Sequence, residues 1–105
     1  MEDILVIIET TTNNEEKANE IASKLIEMKL AGCIQISKIN SHYKYDNKLC
    51  NDEEYLIRIK STKSYFKNVE QVLLDIHNYE LPEIICYECV YASKKYKEFI
   101  NNSLI

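Results

Sequence analysis

The amino-acid sequence predicts an α+β fold of the ferredoxin-like (split βαβ) kind, an antiparallel sheet with two helices on one face and a short helix at the C-terminus. Three observations predict it. The period of the apolar residues switches between 2 and 3.6 in the order strand, helix, strand, strand, helix, strand. The only glycine, Gly32, and the only proline, Pro82, each fall between a helical pattern and the strand pattern that follows it. At 105 residues and 46% apolar composition, the chain has material for one core, so residues 1–105 are read as a single domain.

Each element follows from its residues. Ile4-Leu5-Val6-Ile7-Ile8 is a continuous apolar run, as a strand covered on both faces requires, which makes it central in its sheet. Thr10-Thr11-Thr12-Asn13 is expected to end it. Asn13 and Glu16 have capping-box spacing, and Ala18, Ile21, Ala22, Leu25 and Ile26 share one face of a helix running to about Met28. Gly32 is read as permitting a close helix-to-strand corner. Cys33 to Tyr45 carries a second strand, and Asp46-Asn47, a pair that tolerates left-handed backbone, closes a hairpin. The returning strand alternates at Tyr55-Leu56-Ile57-Arg58-Ile59-Lys60, with the apolar residues on one face and Arg58 and Lys60 on the other. Thr62 is placed to cap a second helix with Phe66, Val69, Leu73 and Ile76 as its buried stripe. A last strand, Ile84 to Val90, precedes a short helix capped by Ser93.

Charge and composition exclude several roles. The net charge of −4 is dispersed, and without a basic block to track phosphates nucleic acid is not an expected partner. No apolar run reaches the length of a membrane span. Met1-Glu2-Asp3 lacks the basic region of a signal peptide, which points to a cytoplasmic protein whose four cysteines are reduced thiols. Cys86 and Cys89 form a C-x-x-C, but three residues apart on one strand they point to opposite faces and are expected to be buried rather than to chelate. Cys50, just beyond the hairpin turn, is expected to be the more reactive thiol.

The chemistry concentrates in His77-Asn78-Tyr79-Glu80-Leu81-Pro82-Glu83, a helix-to-strand connection carrying an imidazole, a phenol and two carboxylates. His77 has two readings: a Cu or Zn ligand, or a cap on the preceding helix. Glu9, Glu80 and Glu83 are candidate oxygen ligands, and Cys33 is either a soft Cu(I) ligand or a buried residue. Tyr79 and Pro82 of the connection, with Tyr43 and Tyr45 of the hairpin and Lys60, are candidate pocket or interface residues.

Three blocks resemble the CutA divalent-cation tolerance proteins. Leu30-Ala31-Gly32-Cys33-Ile34-Gln35-Ile36 is similar to the family's L-A-A-C-V-N-I. Asp52-Glu53-Glu54 through Lys60-Ser61-Thr62 is similar to D-E-E-x-x-L-x-x-K-T-T. The connection is similar to H-P-Y-E-V-P-E-I. The resemblance implies a homotrimer with the long hairpins reaching to neighbours, an association with copper and other divalent metals, and no enzymatic reaction or organic cofactor. For animal members it also implies a protein-anchoring role. The chain departs from the pattern at Lys44, in place of an aromatic residue, and at Asn47, in place of the turn glycine. It has Asn78 in place of proline, and Glu9 where some bacterial members carry a cysteine proposed as a copper ligand.

Independently of the resemblance, strands apolar on both faces with helices on only one call for a second copy to cover the other face. A homotrimer so built is expected to be unusually stable to heat. The competing function is a regulatory trimer holding a small anionic metabolite between subunits, as in PII signalling proteins, with Arg58, Lys60 and Lys44 as its cations. Acylphosphatase-type catalysis is excluded by the loop after the first strand, Thr10-Thr11-Thr12-Asn13-Asn14, which has neither glycine nor arginine.

Overall fold

The computed structural model describes residues 3–105; the reading of the N-terminus rests partly on Met1 and Glu2, which lie outside the described residues. The elements are β1 (Leu5–Thr12), α1 (Glu15–Glu27), β2 (Cys33–Tyr45), β3 (Lys48–Thr62), a 3-10 turn at Lys63–Tyr65, α2 (Phe66–Ile76), β4 (Ile85–Glu88) and α3 (Lys94–Ser103). The strands form one antiparallel sheet in the order β2-β3-β1-β4, the expected α+β architecture with β1 interior. No helix among the described residues is long and apolar enough to cross a membrane.

The core follows from the alternation. Val6 and Ile8 of β1 and Ile57 and Ile59 of β3 are fully buried on one face, against Ala18, Ile21 and Leu25 of α1 and Val69 and Leu73 of α2. The register puts Ile8 beside Ile59 and Ile7 beside Lys60, so Ile7, Glu9, Arg58 and Lys60 belong to the second face. Helix α3 crosses one end of that face, where Lys60 Nζ donates to the Tyr96 hydroxyl (3.2 Å) and stands 5.2 Å from its ring centroid. The other end has no helix over it. There β2 and β3 run on past their pairing with β1, which stops at Thr12↔Tyr55, as a two-stranded arm. Asp46 (φ 55°) and Asn47 (φ 61°) close it in the left-handed pair that a two-residue hairpin turn needs.

Several expectations are corrected. Strand β1 continues through Thr10, Thr11 and Thr12, because β-branched threonines suit a strand and β3 supplies partners as far as Tyr55. The N-cap of α1 is Asn14, whose Oδ1 accepts from the Lys17 N–H (2.8 Å); Asn13 is drawn away to Asn78. Ile26 is exposed, at the margin of the apolar stripe. Thr62 makes no side-chain cap; Asp3 reaches the Ser64 N–H (3.4 Å) instead. Gly32 makes room for Ile100 of α3 rather than for a local corner. Strands β4, which ends at Glu88, and β2 are the two edges of the sheet, so Cys86 is exposed and Cys89, just past β4, and Cys33, at the start of β2, are only half-buried, against the expected burial. All four cysteines are free.

Candidate functional site

Period-2 alternation places Glu54 on the second face of β3 with Leu56 and Arg58, a position that would ordinarily be solvated. Instead Glu54 is only 7% exposed. Tyr79 covers it, and its hydroxyl donates to Glu54 Oε2 at 2.6 Å. Tyr79 is held in turn by His77, whose Nδ1 accepts the Tyr79 N–H (3.0 Å) while Nε2 lies 2.9 Å from the Thr11 carbonyl oxygen. These partners fix the neutral imidazole with its proton on Nε2, and the two rings lie tilted at 49° with centroids 5.0 Å apart. Burial lowers the His77 pKa below the usual histidine value, outweighing the opposing bond to Thr11. Asn78 completes the attachment: Thr12 Oγ1 donates to its Oδ1 (2.7 Å), and its Nδ2 donates to Asn13 Oδ1 (2.9 Å). The threonine end of β1 thus anchors the connection.

The arm and the connection flank an open groove of about 1150 Å³ between Tyr43 and Tyr45 on one side and Tyr79, Glu80 and Glu83 on the other, with Glu54 in its lining. Tyr43 donates to Asp52 across the hairpin, and that bond pushes its pKa up to about 12. The Tyr79 pKa is raised well above the ordinary phenol value, first by burial and then by its bond to Glu54. Glu83 is also raised, by burial first and then by the charges of Glu9 and Glu54. Glu83 therefore feels the charge of two other carboxylates along this end of the sheet.

Of the residues singled out from sequence, Tyr43, Tyr45, Tyr79, Glu80 and Glu83 meet at the groove. Glu9 stands on the neighbouring row of the sheet, accepting from the Tyr87 hydroxyl (2.6 Å), with Arg58 Nε 3.2 Å away. Lys60 is drawn to Tyr96, Cys33 lies opposite Lys60 at the start of β2, and Pro82 is half-buried in the connection. His77 would have to release one of its two backbone partners to ligate a metal. Among the described residues no three His, Cys, Asp or Glu side chains gather closely enough to hold one, so the donor set of a single chain does not fit a closed metal site. Sequence reasoning missed Glu54, Asp52 and Tyr87 as site residues. The alternation that puts Tyr55 and Ile57 inward was the available signal for Glu54, since it assigns Glu54 to the face that carries Arg58.

Comparison with known proteins is consistent along the whole chain. The family model for CutA1 divalent ion tolerance proteins matches residues 6–103. A probable divalent-cation tolerance protein cutA homolog of Encephalitozoon cuniculi is 33% identical over 95 residues, 90% of this chain and 83% of that one. The divalent-cation tolerance protein CutA of Thermotoga maritima is 29% identical, with 96% of this chain and 100% of that one covered. The chain spans 54% of the chloroplastic protein CutA of Arabidopsis thaliana, at 30% identity over 93% of its own length. Among solved structures, divalent ion tolerance protein CutA1 from Ehrlichia chaffeensis superposes with a TM-score of 0.92 at 29% identity, over 98% of this chain and 97% of that one. CutA1 from Oryza sativa gives 0.94 at 28% identity, over 100% and 98%.

Proposed function

We propose, from the premise that this chain belongs to the CutA1 divalent ion tolerance protein family, that it binds divalent cations, copper or zinc foremost, as a homotrimer in which neighbouring chains complete the ligand set. The observation that carries the reading is the one-sided donor set beside an uncovered surface. Glu54 and Glu83 line the groove, Glu9 lies within electrostatic reach of Glu83, and the arm and sheet end next to them have no partner in the single chain. Carboxylate oxygens suit hard and borderline divalent ions, and a second chain would supply the ligands that one chain lacks. His77 enters the set only by leaving Thr11 or Tyr79; otherwise it positions Tyr79. Cys33, removed from the groove, would serve Cu(I) separately. Four free thiols suit a reducing, cytoplasmic setting. The chain carries no enzymatic role in this reading.

The anionic-metabolite alternative is less well supported, because Arg58 is paired with Glu9 and Lys60 with Tyr96, leaving Lys44 alone of the three. Light scattering tests the assembly: the expected mass is three times 12.4 kDa, or 37.2 kDa, and a monomer at micromolar concentration overturns it. The thermal midpoint should be high and should rise with protein concentration, since dissociation and unfolding are coupled. Calorimetric titration of the reduced protein with Cu(I), Cu(II) and Zn(II) tests the ligands. Glu83→Gln should weaken divalent binding by about tenfold or more, by comparison with the 10–100-fold typical of metal-site changes. His77→Ala should do the same if His77 ligates and much less if it only positions Tyr79. Failure of the protein to bind any of the three ions refutes the reading.

A further inference from the structure

We draw no further inference here: the strongest candidate, the surface patch where the chain passes from β4 into α3 and leaves Val90 and Tyr91 exposed ahead of Lys94 and Lys95, carries nothing because nothing in the structure shows what covers it.

Discussion

Replacing Gly32 by alanine should destabilise the protein although its backbone conformation suits any residue, since its φ is not positive. A Cβ added there would stand 2.8 Å from Ile100 Cδ1, 3.1 Å from Ile100 Cα and 3.4 Å from Ile100 Cγ2. Rotation of the isoleucine relieves the first of these clashes but not the second, which is with backbone. Gly32 cannot easily retreat, because its N–H is bonded to the Lys60 carbonyl at 2.9 Å. Overpacking of this kind costs about 1–3 kcal/mol, and the lower entropy of the unfolded alanine chain returns about 0.4–1 kcal/mol, leaving a net loss of about 1–2 kcal/mol. Ile100 is fully buried, so Ile100→Ala should cost about 2–5 kcal/mol on its own. The double variant is the decisive one. With Cδ1 and Cγ2 gone, only the backbone of residue 100 still crowds the new methyl group, and Gly32→Ala should be milder in that background by about 0.5 kcal/mol or more. Guanidinium denaturation at one fixed protein concentration reads all four proteins on the same scale. A Gly32→Ala midpoint at or above that of the parent, or strict additivity in the double variant, refutes the account of why α3 lies where it does.

Three further outcomes follow from the site. His77 is held neutral with a folded pKa below its unfolded value of about 6.5, so its contribution is complete above that pH and is lost as pH falls through the window beneath it. Denaturation midpoints between pH 8 and 5 should therefore fall more steeply for the parent than for His77→Gln, and parallel profiles would contradict the assignment. Tyr79→Phe strands the buried Glu54 carboxylate and should cost about 1–3 kcal/mol by denaturant titration, with Glu54→Gln in the same chain recovering part of the loss; a neutral Tyr79→Phe would mean that water replaces the bond. Burial foremost, and Glu88 next, raise the Cys86 thiol above its usual value of 9.0. Its alkylation rate should still be climbing with pH beyond 9, and a plateau near neutrality would disprove this.

The fold was legible because its signals are local and repeated. The alternation at Tyr55–Lys60, the helical stripe of α1 and the Asp46-Asn47 turn each specify a conformation from a few adjacent residues. The sequence reading failed where the partner is remote in the chain. Nothing near Gly32 announces Ile100, and nothing near Glu54 announces Tyr79. The threonine run shows the same limit from the other direction. Its polarity read as a strand end, yet β3 continues to pair with it, and its carbonyl and hydroxyl groups are what the connection binds. Burial of the cysteines was misjudged because strand position alone does not tell an interior strand from an edge, and β4 is an edge.

The departures from the family pattern each have a physical counterpart. A proline after His77 would fix one dihedral angle of the connection. Asn78 fixes it differently, through two side-chain hydrogen bonds to Thr12 and Asn13 at the end of β1. Those bonds occupy Asn13, which is why the helix cap moves one residue on to Asn14. Asn47 tolerates the left-handed backbone of the turn where glycine would take it without strain, so the arm closes in the same way. Glu9 is the departure with chemical consequence. A thiol there would offer a soft ligand, whereas the carboxylate is engaged by Tyr87 and Arg58 and adds negative charge that Glu83 feels. The exchange removes a soft donor from this end of the sheet and leaves an oxygen donor in its place.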